Sequence, residues 1–502
     1  MKQILLFGAG KSATALIHYL IEEAPKYSWH ITVCDNDLSL ARSKTAGSRY
    51  ATVTGINVNS SDERTKLIRE ADIVISLLPP TLHFLVATDC IEQNKPLLTA
   101  SYIDDKIRAL EQAVNQKGLL FLCEMGLDPG IDHMSAMKIV HHIQRQGGVI
   151  KSFKSHCGGL VAPESDDNPW RYKISWNPRN IVIAGKAGAD FKENNQQRHC
   201  SYRELFDSAR TIAVPGLGTL AWYPNRDSLS YIDVYNVHSA ATFVRTTLRY
   251  PEFCSGWKNI IELHLTDENS WYETDGMTLQ SFFQIHFKRH GCSEWIEKQL
   301  TSRFTQSKQL LEKLQQLLEA EEQAAAMKAE KDVQEFMMVD DTGALQDINL
   351  DEIKSTTAAT VAGTMNEANL AIRQLFFLGM NDDQTIINKG KCSAADVLQF
   401  ALEQKLALSE NDRDMIVMIH EIEYELHGQL KKTISWLINK GNDPLNTAMA
   451  KTVGLPLGIA TKLILEGTIR LKGLHIPILP EIYEPVLEEL EKQGIKFEET
   501  TI

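Results

Sequence analysis

Apolar residues in the first 130 positions fall into short runs separated by amphipathic stretches. Lys2–Phe7 is an apolar run that ends on glycine, His30–Cys34 and Ala51–Val58 repeat that texture, and Ala71–Leu78 is almost continuously apolar. Runs of about four to eight apolar residues fit strands covered on both faces. Pro96–Ala100 and Leu119–Cys123 add two more. Ala13–Glu22 and the segments near 61–70, 82–92 and 104–117 have helical composition and fit between them. Strands that alternate with helices predict right-handed βαβ crossovers and a parallel, doubly wound sheet. The expected unit is a Rossmann-like domain over residues 1–130.

The texture changes after Gly130. Residues 131–250 mix helix and strand patterns with Gly/Pro/Asn/Asp clusters, as in Gly158–Pro169 and Pro215–Gly218. From about 293 to 335 the pattern is helical, and Glu297–Met327 is rich in Gln, Leu, Glu, Lys and Ala with apolar residues at helical spacing. That predicts a long solvated helix packed on its own domain rather than a coiled coil for a partner. Helical segments continue to about 405, and Ile416–Leu426 and Leu430–Leu437 return to a β-type pattern, as if rejoining an earlier sheet. The helical block therefore reads as an insertion. The expected boundaries are 131–290 with 409–502 for a discontinuous, mixed α/β substrate domain, and 291–408 for an all-helical domain.

Composition narrows the class. Of 502 residues, 43% are hydrophobic and 23% charged, ordinary for a globular chain. A disordered chain, a fibrous repeat and a disulfide-stapled miniprotein are excluded. The net charge of -13, from 52 basic and 65 acidic side chains, argues against nucleic acid or an anionic membrane as partner. The eight cysteines are scattered with no CxxC pair, which suits reduced thiols. No apolar stretch approaches the ~20 residues that span a bilayer, and the apolar start is too short for a signal peptide. A cytoplasmic location is expected.

Gly8-Ala9-Gly10-Lys11-Ser12-Ala13 follows the first strand pattern and opens the first helix pattern. Gly8 allows a tight turn, Gly10 lets backbone approach a pyrophosphate, and the small Ala13 allows the helix to pack closely on the strand. The helix start offers free N–H groups to phosphates. Lys11 lacks the spacing of a P-loop lysine. Asp35 ends the second strand, where a carboxylate accepts hydrogen bonds from a ribose and repels a 2′-phosphate. NAD is therefore favoured over NADP. Ser76, Leu77, Leu78 and Pro79 end the fourth strand on the side that faces a cofactor crevice.

Further segments are more specific: Thr99–Tyr102, Gly126–His133, Cys157–Glu164, Tyr223–Ser228, Thr246–Tyr250 and Ala448–Pro456. With the glycine-rich loop, and in this order across nearly the whole chain, they resemble the saccharopine dehydrogenase family, in particular its glutamate-forming branch. The resemblance implies a three-part fold with a Rossmann-like nicotinamide domain, a mixed α/β substrate domain and an inserted helical domain. It implies reversible, NAD(P)-dependent oxidation of L-saccharopine with water to aminoadipate semialdehyde and L-glutamate, with a homodimer expected. By position, Ser101, Tyr102, Asp128, Arg226 and Arg245, Thr246 and Thr247 correspond to substrate-binding residues. Leu127, Asp128, Pro129 and Trp176 correspond to nicotinamide contacts. One departure is Cys34-Asp35-Asn36, where NADP-using relatives tend to carry arginine.

Residue chemistry agrees. Saccharopine carries three carboxylates, and planar guanidinium groups bind carboxylates bidentately. Arg226 and Arg245 supply such groups in an acidic chain. The titratable groups in the matching segments are Asp128, Cys157 and His133, with Asp128 and Cys157 taken as the catalytic candidates. Cys157 reads as a buried or substrate-lining thiol rather than a nucleophile. His141-His142 lacks HExxH spacing, so no metal is expected. A related reductase on a polyamine conjugate, such as carboxynorspermidine synthesis, and a non-catalytic NAD-binding scaffold are the competing readings. The arginine pair and the intact motifs weigh against them.

Overall fold

The computed structural model describes residues 1–206, 210–292 and 370–502, together with the backbone of the strand pair Met337–Val339 and Leu345–Asp347. The helix expected over Glu297–Met327 lies outside the described residues. The chain divides into two compact units, Met1–Cys254 with Leu402–Ile502, and Ser255–Ala401. The second unit begins earlier than residue 291. Its strand Trp271–Glu273 pairs with Lys391–Ser393, which ties segments from both sides of the inserted block to each other.

Within the first unit, seven parallel strands form one sheet in the order 473–475, 120–122, 97–99, 73–76, 2–7, 29–35, 51–55. The apolar runs predicted as strands are these strands, because residues such as Leu5, Leu6, Phe7, Val74 and Ile75 are covered on both faces. The outer strand Gly473–His475 comes from the far end of the chain, so the sheet exceeds the 1–130 span. Strand order reverses between Lys2–Phe7 and Ile73–Ser76, the switch point where a doubly wound sheet opens a crevice. The two strand ends meet there, with the Leu77 N–H donating to the Phe7 carbonyl at 2.8 Å.

The ten-stranded second sheet runs 211–214, 218–224, 242–249, 149–161, 414–426, 429–440, 498–501, with 189–193, 196–200 and 226–227 beside that path. Asp414–Leu426 lies between Val149–Val161 and Gln429–Lys440, so the chain does rejoin an earlier sheet. Side chains alternate across this sheet. Ile416, Met418 and Ile422 face one core, while Met415, Val417 and Ile419 face another.

Helix Ala448–Leu465 is long and apolar enough to cross a membrane, which the linear reading overlooked, but 72% of it is buried inside the protein. It packs on helix Thr14–Tyr27 behind the glycine-rich loop. Its N-terminus is capped by Asp414, whose carboxylate accepts from the Ala448 and Met449 N–H groups.

Candidate active site

Every segment singled out in the Rossmann-like half lies at the carboxyl ends of its strands. Gly8 has φ +98°, and a Cβ there would come within 2.8 Å of the Leu77 carbonyl oxygen. Only glycine therefore fits the switch point. At Gly10 a Cβ would meet nothing within 4 Å, so the loop leaves an open cradle there. Lys11–Ala13 and helix Thr14–Tyr27 begin without a side-chain cap, with Lys11 and Ser12 at the mouth and Ala13 buried against the core. Open space beside Gly10 and uncapped N–H groups fit a dinucleotide pyrophosphate.

Two side chains hold this loop. The Asp35 carboxylate accepts from the Ala9 N–H at 2.6 Å and the Asp37 N–H at 2.8 Å. Lys44, only 4% exposed, donates to the Gly10 carbonyl. Burial pulls the Lys44 ammonium down to about 8, against the attraction of Asp35. Lys44 was not legible from the sequence, where it is one of many helical lysines. Lys44→Met leaves the Gly10 carbonyl unanchored. A charge-assisted bond of about 1.5–3 kcal/mol predicts a 10- to 100-fold weaker cofactor, with an unchanged KM for the second substrate. Titrating the reduced nucleotide by fluorescence checks this.

Ser76 is fully buried and shares a hydrogen bond with His83 Nδ1 at 2.8 Å. The other ring nitrogen of His83 meets Ser101 Oγ at 2.8 Å. Burial brings His83 down to about 4, so a neutral imidazole links the end of one strand to the next. Leu77 and Leu78 are half-buried.

The loop after Leu120–Leu122 carries the centre of the site. The Gly126 N–H donates to the Pro129 carbonyl at 2.9 Å. Gly130 sits at φ +146°, and a Cβ there would lie 2.1 Å from the Gly126 oxygen. The Asp128-Pro129 peptide is cis. Leu127 is buried. This tight turn presents Asp128 and starts helix Ile131–Arg145. Asp132 in its first turn accepts the Gly130 N–H at 2.6 Å.

Arg245 comes from strand Thr242–Arg249 and is 2% exposed. Its Nη2 donates to Asp128 Oδ1 and to Asp132 Oδ2, both at 2.7 Å, and to the Tyr102 hydroxyl at 3.1 Å. Tyr102 in turn donates to Asp128 Oδ1 at 2.8 Å. The Arg245 Nε is buried without a hydrogen-bond partner. Burial pushes the Asp128 carboxyl up, over the pull of Arg245. Burial also opposes charge on Asp132, but His133, Arg245 and the Gly130 N–H hold that carboxyl below its usual range.

Behind this cluster, Glu124 Oε2 meets His133 Nε2 at 2.8 Å and accepts from the Tyr231 hydroxyl at 3.2 Å. His133 Nδ1 meets the Tyr235 hydroxyl at 2.5 Å. Arg245 lies over the Tyr231 ring at 4.5 Å. The linear reading assigned no role to Asp132, Glu124 or Tyr231. Asp132-His133 stood inside a flagged segment, but the other two carried no local signal.

The remaining expected site residues divide. Arg226 is exposed, with φ +50°, and stands over the Tyr102 ring at 5.2 Å, so it joins the Asp128 cluster from the outside. Thr247 shares the face of Arg245, because residues two apart on a strand do. Thr246 does not: its hydroxyl is taken by His156 Nδ1 at 2.6 Å on the opposite face. Only its backbone borders the Arg245 side. Cys157 pairs with Thr247 and is 7% exposed. Burial pushes its thiol well up, with Asp128 and Asp132 adding to the effect. It therefore stays a neutral thiol near pH 7 rather than a thiolate. Trp176 is half-buried, and its Nε1 donates to the Tyr172 hydroxyl at 2.9 Å.

Known proteins resemble this chain along its length. A family profile described as the saccharopine dehydrogenase C-terminal domain matches residues 126–495, and one described as the saccharopine dehydrogenase NADP binding domain matches residues 4–122. A saccharopine dehydrogenase [NADP(+), L-glutamate-forming] of Saccharomyces cerevisiae is 30% identical, covering 100% of this chain and 99% of that one. An alpha-aminoadipic semialdehyde synthase of Arabidopsis thaliana is 33% identical over 94% of this chain, which spans only 40% of that protein. The solved apo structure of the L-Glu forming saccharopine dehydrogenase from Saccharomyces cerevisiae superposes with a TM-score of 0.77 at 28% identity, covering 100% of both chains. A glycine cradle at the switch point and a buried arginine beside Asp128 are thus set in the fold of that enzyme, and the chain belongs to the saccharopine dehydrogenase family.

Proposed function

We propose that this chain is an L-glutamate-forming saccharopine dehydrogenase, which oxidises the secondary amine of L-saccharopine with a nicotinamide cofactor and water. The observation that carries the reading is Arg245: a buried guanidinium beside Asp128, its Nε unpartnered, at the carboxyl end of a dinucleotide-type sheet. An unpartnered buried N–H is a costly group that a ligand carboxylate satisfies. Arg226 supplies a second cation from the exposed side.

The bound nicotinamide would take the hydride from the carbon beside the substrate nitrogen. The loop from Gly8 to Ala13 would hold its pyrophosphate, and Leu127 and Pro129 would border the ring. The substrate amine must lose its proton before that C–H bond breaks. Asp128 is the acceptor: its carboxyl is raised by burial, which brings it closer to a matched general base. Tyr102 holds Asp128 Oδ1 in place. Water then adds to the resulting iminium carbon and gives up a proton to solvent, Asp128 returns its proton to nitrogen, and the protonated carbinolamine expels the amine as its hydroxyl proton leaves, giving aldehyde and glutamate. Cys157 remains a neutral wall of the pocket.

For the cofactor, NAD is the preferred nucleotide in this reading. Asp35, at the end of strand Trp29–Asp35, puts a carboxylate beside the glycine loop, and Lys44 is turned to Gly10 rather than outward. The NADP(+) in the names of the fungal relatives points the other way. Steady-state assays with both nucleotides and excess L-saccharopine test the proposal. Reduced nucleotide should form, with a higher kcat/KM for NAD. Cofactor binding without turnover would defeat the enzyme reading, and a higher kcat/KM for NADP would defeat the cofactor reading. A homodimer is proposed from the resemblance alone, and light scattering decides it. Seven of the eight cysteines are buried and all are free, which supports a reducing, cytoplasmic setting.

A further inference from the structure

Arg249, four residues beyond Arg245 on the same strand, is a second buried guanidinium, 5% exposed. Strand alternation puts both on one face, with Cα atoms roughly 13 Å apart. Unlike Arg245, Arg249 has no carboxylate within ion-pair distance among the described residues. Its Nη1 donates to the Leu248 carbonyl at 2.8 Å and reaches the Gly159 carbonyl at 3.5 Å. Its Nε is buried without a partner. Its guanidinium stands 5.4 Å from both the Tyr172 and Phe253 ring centres. The nearest acid in sequence, Glu252, is turned to Arg171 at 3.4 Å.

Its other neighbours carry no negative charge to offset it. Burial holds the Tyr223 phenol up at about 12 and raises that of Tyr172. Burial likewise holds the Cys254 thiol up at about 12 and raises that of Cys157 well above its usual value. Phenols and thiols at those values are neutral near pH 7. An isolated buried charge is costly, and proteins keep one where a ligand supplies the counter-ion. Tyr172 also receives the Trp176 indole N–H, so the surroundings of Arg249 adjoin the residue expected at the nicotinamide.

We propose that Arg249 forms a separate anion subsite, which takes a terminal carboxylate of the tricarboxylic substrate while Arg245 and Arg226 serve the end beside Asp128. This rests on the saccharopine reading above and assigns a specificity-determining role within it. An extended molecule with a carboxylate at each end matches two guanidiniums on one strand face.

The test compares Arg249→Gln and Arg249→Lys with the unaltered enzyme. Losing a charge-assisted pair predicts a KM for saccharopine raised about 10- to 100-fold in Arg249→Gln, with cofactor affinity within twofold of the parent and partial recovery in Arg249→Lys. The dicarboxylate glutarate should raise the melting temperature of the NAD-loaded parent, and that shift should vanish in Arg249→Gln. An unchanged KM, or an equal loss of cofactor affinity, overturns the proposal. If Arg249→Gln does not fold, Arg249→Lys and the parent carry the test: the glutarate shift must be present in the parent and smaller in Arg249→Lys. The glutarate shift requires no turnover, so a parent that does not oxidise saccharopine counts against the activity reading, while loss of the shift reports on the subsite.

Discussion

Arg245→Met is expected to abolish saccharopine turnover and to destabilise the fold by about 3–5 kcal/mol, the cost of removing one partner from a buried ion cluster. Among the described residues, Arg245 is the cation that bridges Asp128 and Asp132. Without it, two carboxylates remain buried and face each other. The expected response is uptake of a proton by the pair, so the variant should become more stable as pH falls from neutral toward 5, where the parent does not gain in the same way. The double change Arg245→Met with Asp128→Asn should recover part of the lost stability and none of the turnover, because it removes one stranded charge without restoring a carboxylate-binding group. Urea unfolding midpoints at two pH values, with kcat/KM for both substrates, read these effects. A single variant as stable as the parent would show that Arg245 is not the counter-ion of the cluster.

Asp128→Asn carries the second large effect. Loss of a positioned general base is worth about 10²–10⁴ in rate, so kcat in the oxidative direction should fall by that factor while cofactor affinity holds. The sign of the pH dependence follows from the raised carboxyl. The folded protein holds this proton more tightly than the unfolded chain. The group therefore favours the fold below the ordinary aspartate range and costs stability as pH rises through its folded value. Asn is uncharged throughout, so the variant should lose little stability at neutral pH. The acid limb of the parent's kcat/KM profile, where Asp128 becomes protonated, should be absent from the variant. A variant that keeps both its kcat and the acid limb would assign proton transfer to another group.

Glu124, His133, Tyr231 and Tyr235 form a bonded network behind Arg245. Tyr231 stacks on His133 at 5.2 Å and bonds to Glu124, and so presents its ring to Arg245 from behind. His83 similarly joins Ser76, at the end of strand Ile73–Ser76, to Ser101, just beyond strand Leu97–Thr99. These links all lie within one unit of the chain.

Much of the fold was legible in the order of residues. The parallel strands, the glycine-rich turn and the return of the chain to an earlier sheet depend on local periodicity and backbone geometry. Buried strands are apolar on both faces, and a switch point with a carbonyl 2.8 Å from the missing Cβ accepts only glycine. The flagged segments around Ser101, Asp128 and Arg245 do converge in space. What the order of residues left open was the state of each group after folding. Thr246 and Arg245 are neighbours in the chain, yet strand alternation sends their side chains to opposite faces. Cys157 is titratable on paper, yet burial keeps it a neutral thiol. Arg245 was read from the sequence as a group for a substrate carboxylate, with no partner named, yet it meets Asp128 and Asp132 from 117 and 113 positions away. Arg249, in the same segment, has no carboxylate within ion-pair distance among the described residues. Charge pairing of this kind acts through space across low-dielectric interior, and no local pattern encodes which distant carboxylate a chain will bring to an arginine.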